Sequence, residues 1–341
     1  MKTCDIIGIS DSRRVWFPPE VMDAIKNGCV FSGGIRHHEI VGQLLPKDAV
    51  WIDITVPLEK VFEQYMYYDH VVIFASGDPL FFGFANTVQR ECKEVRMRVF
   101  PSPNSLQMLA HRMGVAYDDM RVVSLTGRDW QKLDEALIHG ERMIGCLTDR
   151  TKTPHTIHQR MTEYGYTDYQ MTVGENLGNE DKERVSPYDD KTVYEHPNCI
   201  ILQKTAQKGR FRCAFGIPDN EFALLDGREK MITKMPIRLL TLQALELPKK
   251  HVLWDIGFCT GSISIEARLQ FPHLQIEAFE IRPECEAIIQ ENARRFGTPG
   301  ISVNMGDFLQ ATIPADSPTG HPDAVFIGGM EGTSRRSWPR Y

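Results

Sequence analysis

The feature that constrains this chain most is the run Val252-Leu253-Trp254-Asp255-Ile256-Gly257-Phe258-Cys259-Thr260-Gly261-Ser262. An apolar stretch that ends at an acid and a glycine-bearing turn, then continues as Ile263-Ser264-Ile265-Glu266-Ala267, reads as a buried strand, a tight loop and the start of a helix. Gly257 and Gly261 let the backbone turn where a Cβ would collide, and the new helix offers unpaired N–H groups to a ligand. The next strand, Ile276-Glu277-Ala278-Phe279-Glu280, carries an acid at its carboxyl end about 20 residues past the turn. At that spacing a carboxylate can accept ribose hydroxyls, which makes Glu280 the ribose candidate. A third strand, Ile301-Ser302-Val303-Asn304, runs into Gly306-Asp307, where the acid can accept from an adenine amino group. The turn reads G-x-x-x-G and lacks G-x-G-x-x-G, which argues against a nicotinamide dehydrogenase.

The rest of the chain surrounds this unit with more of the same alternation. Cys4-Asp5-Ile6-Ile7-Gly8-Ile9, Val50-Trp51-Ile52-Asp53-Ile54 and Asp69-His70-Val71-Val72-Ile73-Phe74-Ala75 read as strands with helical segments between them, so a parallel α/β sheet is expected. With 341 residues there is room for two domains, each with its own core. A formal charge of −6 gives no general attraction to nucleic acid or an anionic membrane. The eight cysteines form no C-x-x-C pair, which fits a reducing compartment without a zinc site. The adjacent His37 and His38 point about 100° apart on a helix, and His155 and His158 find no third ligand nearby, so no metal is expected. No signal segment opens the chain and no apolar run reaches the roughly 18 residues of a membrane helix, so a soluble, cytoplasmic protein is expected.

Two sets of motifs carry a resemblance. Ser76-Gly77-Asp78-Pro79-Leu80-Phe81-Phe82-Gly83 resembles the G-D-P-L-F-F-G motif of the tetrapyrrole (corrin and porphyrin) methylases. Gly8 lies where that family has its opening glycine-bearing strand, and Pro101-Ser102-Pro103-Asn104-Ser105 resembles its loop before a helix. Ser124-Leu125-Thr126-Gly127-Arg128-Asp129 resembles its S-L-H-G-R-D segment, with Thr126 in place of the histidine, and Gly174-Glu175-Asn176-Leu177-Gly178 resembles its G-E-x-L-G stretch. The run from residue 252 resembles the first motif of the class I S-adenosylmethionine-dependent methyltransferases, D-x-G-x-x-T-G. Between them, Gly216-Ile217-Pro218-Asp219-Asn220-Glu221-Phe222 and Thr233-Lys234-Met235-Pro236-Ile237-Arg238 resemble segments of the fused two-domain methyltransferases of cobalamin biosynthesis. The resemblance covers about residues 4 to 330.

It implies a two-lobed tetrapyrrole methylase domain over 1–205, a linker over 206–222 of polar, basic composition, and a Rossmann-like class I domain over 223–341. The segment from Met330 to Tyr341 does not read as the helix expected after the fourth strand of that second domain, so a truncated C-terminus is expected. The function implied is methylation by S-adenosylmethionine of a precorrin or cobalt-precorrin, at C5 by the first domain and at C15, with decarboxylation of an acetate, by the second. The rival is a chain whose first domain alone methylates while the shortened second one binds or scaffolds a partner. A homo-oligomer, dimer or higher, is implied by the first family.

Cofactor contacts implied by the resemblance are Gly77, Asp78 and Pro79, with Ser105, Thr126 and Gly127, in the first domain. In the second they are Thr233, Asp255, Gly257, Thr260, Gly261, Glu280 and Asp307. A substrate with many carboxylates calls for guanidinium and ammonium partners, for which Arg13, Arg14, Arg36, Arg128, Lys234 and Arg238 are the candidates. No nucleophile-and-base constellation stands out, as expected where catalysis is alignment of nucleophilic carbon, methyl and sulfur.

Overall fold

The computed structural model describes residues 1–205, 215–228, 230–311 and 317–328. The chain divides into two compact units, one of residues 1–126, 145–154 and 171–202 and one of residues 127–144, 155–170 and 203–341.

The first unit opens with β1 (Thr3–Ile9), α1 (Pro19–Asn27), β2 (Val30–Gly33), α2 (Ile35–Val41), β3 (Val50–Asp53), α3 (Glu59–Tyr65), β4 (His70–Ser76), α4 (Phe84–Glu91) and β5 (Arg96–Phe100). The strands make one sheet in the order β3-β2-β4-β1-β5, and every neighbouring pair is parallel. Helices cover both faces, so β1 and β4 are buried almost end to end. Alternate residues serve the two faces, Cys4, Ile6, Val71 and Ile73 packing in one cluster and Ile7, Ile9, Val72 and Phe74 in the other. The chain leaves β1 toward β2 and leaves β4 toward β5, in opposite directions. A crevice therefore opens at the carboxyl ends of these two adjacent strands, where Gly8 lies beside Ala75 and Ile9 beside Ser76.

The chain continues through α5 (Ser105–Met113), β6 (Arg121–Ser124), α6 (Gln131–His139), β7 (Met143–Leu147), α7 (Pro154–Glu163), β8 (Tyr169–Glu175), β9 (Arg184–Pro187) and β10 (Asn198–Lys204). These strands form a sheet in the order β6-β7-β10-β8-β9, with β8 and β9 antiparallel. Asn104 and Gln107 cap α5 reciprocally, and Gly114 ends it in the left-handed region at φ 65°. Acids of the run from Glu180 to Arg184 make specific bonds to other segments. Glu180 accepts from Ser12 Oγ at 2.5 Å and from Arg13 N at 3.0 Å, while Glu183 pairs with Arg112 at 2.5 Å. Those bonds hold the Glu180 carboxyl down at about 2.

The second unit contains α6 and α7 together with α8 (Met235–Ala244), β11 (Val252–Ile256), α9 (Ser262–Gln270), β12 (Gln275–Glu280), α10 (Glu284–Phe296), β13 (Ile301–Met305) and β14 (Ala324–Ile327). Strands β11 to β14, the ones in this sheet among the described residues, are ordered β13-β12-β11-β14, all parallel, so the chain reverses direction across the sheet between β11 and β14. A buried charge cluster fastens α6 and α7 into this unit. Asp134 takes both ends of Arg160 at 2.7 Å and faces Arg268 at 3.7 Å, while Arg268 spends its other donors on the carbonyls of Pro299, Pro272 and Leu274. A Cβ on Gly300, where φ is +83°, would stand 2.8 Å from Arg268 Nη2, so only glycine admits this contact.

Within the linker expected over 206–222, Ile217 and Phe222 are buried in a cluster with Ile232 and with Ile265 of α9. Residues 206–214, which carry the rest of that assignment, and 329–341, on which the expectation of truncation rests, lie outside the described residues. No helix among the described residues is long and apolar enough to cross a membrane.

Candidate functional site

In the first unit the crevice at β1 and β4 is shaped by glycines. The N–H of Gly77 donates to Ile9 O at 2.8 Å, and Gly77 sits at φ +62°. A Cβ on Gly8 would fall 2.1 Å from Gly77 O and 2.7 Å from Ser102 N, so the end of β1, the Gly-Asp-Pro loop and the 101–105 loop are pressed together as only glycine permits. Asp78 Oδ1 accepts from Leu80 N at 2.9 Å, closing an Asx turn that fixes the loop. Together they border a cavity of about 520 Å³, within the range of cofactor sites. Gly77, Asp78, Ser105 and Thr126 all line it. Pro79 is buried behind the loop, 3.1 Å from the Cβ position of Gly8, and supports rather than lines the cavity. Thr126, exposed, donates from Oγ1 to Thr148 O at 3.1 Å, while Gly127 and Arg128 are exposed residues of the second unit.

Of the basic residues expected to meet substrate, Arg36 lines this cavity. Its Nη2 donates to Ser76 Oγ at 3.0 Å and its Nε faces Asp11 Oδ1 at 3.4 Å. Arg13 is exposed and turned to Glu39 at 3.7 Å, and Arg14 borders a neighbouring groove. His37, Ser76 and Asp11, none of which the sequence singled out for this site, complete the polar wall, and Asn179 Nδ2 supports it by donating to Asp11 Oδ2 at 2.9 Å. Their separations of 39 and 168 residues leave no local pattern to read.

In the second unit the site forms at the carboxyl end of β11. Gly257 and Gly261 have φ of +77° and +73°, and Cys259 between them is also left-handed at +48°. A Cβ on Gly261 would fall 2.4 Å from Ile289 Cγ1, so α10 packs against the turn only because residue 261 is glycine. Asp255 Oδ2 accepts from Ser264 Oγ at 2.5 Å and Ser264 N at 3.2 Å, joining the strand to the first turn of α9. Its other oxygen, and the Oγ1 of Thr260, are buried without a hydrogen-bond partner among the described residues. Burial pushes the Asp255 carboxyl up to about 6 despite the Ser264 bonds, and the charge of Glu280 adds to the rise. Glu280 sits at the end of β12 and accepts from Cys259 N at 3.0 Å, Ile281 N at 2.9 Å and the Arg282 guanidinium at 3.2 Å. Asp307 is exposed beyond β13 and caps a short helical turn through Leu309 N at 3.0 Å. Phe308, beside it, closes an aromatic cluster with Trp254 and Phe279 that spacing alone did not reveal.

Arg238 requires a correction. Expected to pair with substrate carboxylates, it is wholly buried instead, donating to Glu266 Oε2 at 2.9 Å, Asp219 Oδ1 at 3.2 Å, Thr233 O at 2.7 Å and Ile217 O. Its face stacks over Phe222 at 5.0 Å. A guanidinium so enclosed is structural. Thr233, half-buried, contributes its carbonyl to this bracket, whereas Lys234 is exposed and only 3.7 Å from Asp219.

Fold and sites together define an S-adenosylmethionine-dependent methyltransferase that carries two methyltransferase folds on one chain. Residues 1–188 match the family model of the Tetrapyrrole (Corrin/Porphyrin) Methylases, and residues 226–337 match that of a Precorrin methyltransferase domain. The chain is 33% identical over 332 residues to the precorrin-6Y C(5,15)-methyltransferase (decarboxylating) of Sinorhizobium sp, covering 95% of itself and 78% of that relative. The enzyme of the same name from Mycobacterium tuberculosis is 31% identical over 267 residues, covering 76% of this chain and 63%, less than two thirds, of the relative. The chain is 40% identical over 111 residues to the cobalt-precorrin-6B C(15)-methyltransferase (decarboxylating) of Salmonella typhimurium, covering 32% of itself and 53% of that relative. The chain belongs to the family of precorrin-6Y C(5,15)-methyltransferases (decarboxylating).

The residues present fit S-adenosylmethionine. In the second unit two orphaned oxygens, Asp255 Oδ1 and Thr260 Oγ1, call for a donor such as an ammonium, and the glycine turn leaves backbone space where a side chain would stand. In the first, the cavity combines the glycine-shaped loop with polar groups on one wall and Phe74, Phe81 and Leu177 on another.

Proposed function

We propose that this chain methylates a precorrin twice, at C5 through the tetrapyrrole methylase part and at C15, with loss of an acetate carboxyl group as carbon dioxide, through the C-terminal part. The observation that carries the reading is the presence of two separate glycine-shaped sites on one chain, each at the carboxyl ends of adjacent parallel strands in its own unit. The family matches over 1–188 and 226–337 support a domain to about residue 205 and a second from about 223. The resemblance of the first part to its family supports action in the cytoplasm as a homo-oligomer, dimer or higher.

Bound S-adenosylmethionine supplies an electrophilic methyl group on a sulfonium. Ring carbons conjugated with pyrrole nitrogens are already nucleophilic, so the chain's work is to bind, orient and exclude water. In the first unit Gly77 and Asp78 bind the cofactor at the loop, Ser105 and Thr126 flank it, and Phe74, Phe81 and Leu177 keep water from the reacting carbon. In the second unit Asp255 and Thr260 offer their orphaned oxygens to the ammonium end. Glu280 takes the ribose hydroxyls as the partly exposed Arg282 swings aside, and Asp307 meets the adenine. Lys234, exposed at the start of α8, and Arg128 are the exposed candidate charges in that unit for a substrate carboxylate.

Incubating the full chain with methyl-labelled S-adenosylmethionine and the metal-free or cobalt-loaded precorrin tests the reading. Two labels per macrocycle and one carbon dioxide are expected. A single label without carbon dioxide would confine activity to the first part, and no label from either substrate would overturn the reading.

A further inference from the structure

The polar wall of the first cavity contains a hydrogen-bond arrangement with only one outlet. Gly34 N–H donates to His37 Nδ1 at 3.2 Å, which makes Nδ1 the acceptor nitrogen and leaves the ring proton on Nε2. Burial, with the neighbouring Arg36 charge, holds His37 down at about 4, so the ring is neutral. Its Nε2 stands 3.0 Å from Ser76 Oγ, and Arg36 Nη2 stands 3.0 Å from the same oxygen. Both neighbours are donors. Ser76 therefore receives two hydrogen bonds and can return its own proton to neither of them. Among the described residues no other group takes that proton, and Ser76 is exposed at the cavity wall.

The charge balance points the same way. Asp11 is the carboxylate nearest Arg36, but its Oδ2 is held by Asn179 and its Oδ1 meets Arg36 Nε only at 3.4 Å, too long and oblique to count as a hydrogen bond. The guanidinium thus keeps further N–H groups for the cavity, alongside a hydroxyl oriented to donate. Asp11 Oδ1 lies beside Arg36 as a partial countercharge, and the guanidinium N–H groups and the Ser76 O–H that face the cavity are complementary to one anionic oxygen pair.

We propose that Ser76 and Arg36 form a carboxylate-receiving corner of the first site, in which Ser76 donates directly, Arg36 supplies the countercharge, and His37 is a positioning residue that compels the Ser76 proton to face the cavity. The inference rests on the reading of this cavity as a methyltransferase site for a carboxylate-rich tetrapyrrole. Two carboxylates share the required chemistry there, that of a macrocycle side chain and that of the amino-acid end of the cofactor.

The test uses the full chain and two probes, uroporphyrin, a tetrapyrrole with carboxylate side chains, followed by fluorescence, and S-adenosylhomocysteine, followed by calorimetry. Ser76→Ala should weaken one probe by about tenfold or more, the loss expected for a hydrogen bond to a charged group, and leave the other within about twofold. Loss on uroporphyrin assigns the corner to the substrate, and loss on S-adenosylhomocysteine to the cofactor. His37→Ala should reproduce the loss and His37→Gln, whose amide N–H can still donate to Ser76, should restore binding, with melting temperatures unchanged across the set. Parent-like affinity for both probes in Ser76→Ala would overturn the corner while leaving the cavity's function standing. A parent chain that binds neither probe would overturn both.

Discussion

Replacing Arg238 by Ala separates a structural guanidinium from a substrate-binding one. The side chain and its partner Glu266 are both fully buried, and among the described residues Glu266 keeps only the N–H groups of Gly216 and Ile217 when the guanidinium is removed. The carbonyls of Thr233 and Ile217 and the carboxylate of Asp219 lose a donor as well. Breaking a buried pair by deleting one partner costs about 3–5 kcal/mol, because the remaining charge has no compensation. That corresponds to roughly 150- to 5,000-fold in the opening equilibrium. Hydrogen exchange of the full chain reads it locally, and amides of β11, α9 and β12 should exchange faster by that factor while those of β1 and β4 hold their parent rates. Arg238→Lys should recover little, since one ammonium cannot meet four acceptors held in a fork. Parent-like exchange in β11 together with a raised KM for the precorrin would refute the structural assignment and return Arg238 to the substrate.

The other expectations concern the two sites. Gly261→Ala places a Cβ 2.4 Å from Ile289 Cγ1 at φ +73°, so it should destabilise the second unit by about 1–3 kcal/mol and abolish its calorimetric signal for S-adenosylhomocysteine, which unchanged binding would contradict. Glu280→Ala should weaken cofactor binding in the second unit and leave the first unaltered, and equal affinity at both would remove the ribose assignment. Asp255, raised from 3.8 to about 6, holds more protons in the native state than unfolded across that interval. Its contribution to stability is full below about pH 4 and is lost as pH rises through about 6, a swing of about 3 kcal/mol. Asp255→Asn should therefore gain on the parent by about that amount between pH 4 and pH 7 in urea titrations, and a pH-independent difference would contradict the burial argument.

What the sequence disclosed follows from the range of the signals. The strand, glycine turn and helix at 252, and the Gly-Asp-Pro loop at 77, are local, and their conformations are imposed by residues adjacent in the chain, so both were legible. Gly77, Asp78 and Ser105 follow β4 and β5 of one sheet while Thr126 follows β6 of the other, and the resemblance of their motifs, each local, is what grouped the four. Arg238 was misread because its fate depends on Glu266, 28 residues on, and Asp219, 19 back, and a lone arginine near a motif looks the same whether buried or exposed. His37, on α2 just after β2, meets Ser76 at the end of the neighbouring strand β4, and nothing in the spacing of either announces the other. The end of the expected linker is held by Ile217 and Phe222, whose burial depends on Ile265 of α9 and, for Phe222, on Arg238 of α8 rather than on the composition of residues 206–222.

The claim that two cofactor sites work on one chain is tested most directly by calorimetric titration of the full chain with S-adenosylhomocysteine, alongside Gly261→Ala. Two equivalents per parent chain and one per variant are predicted. A stoichiometry of one in the parent that Gly261→Ala leaves intact would contradict it, because the second glycine-shaped site would then hold no cofactor.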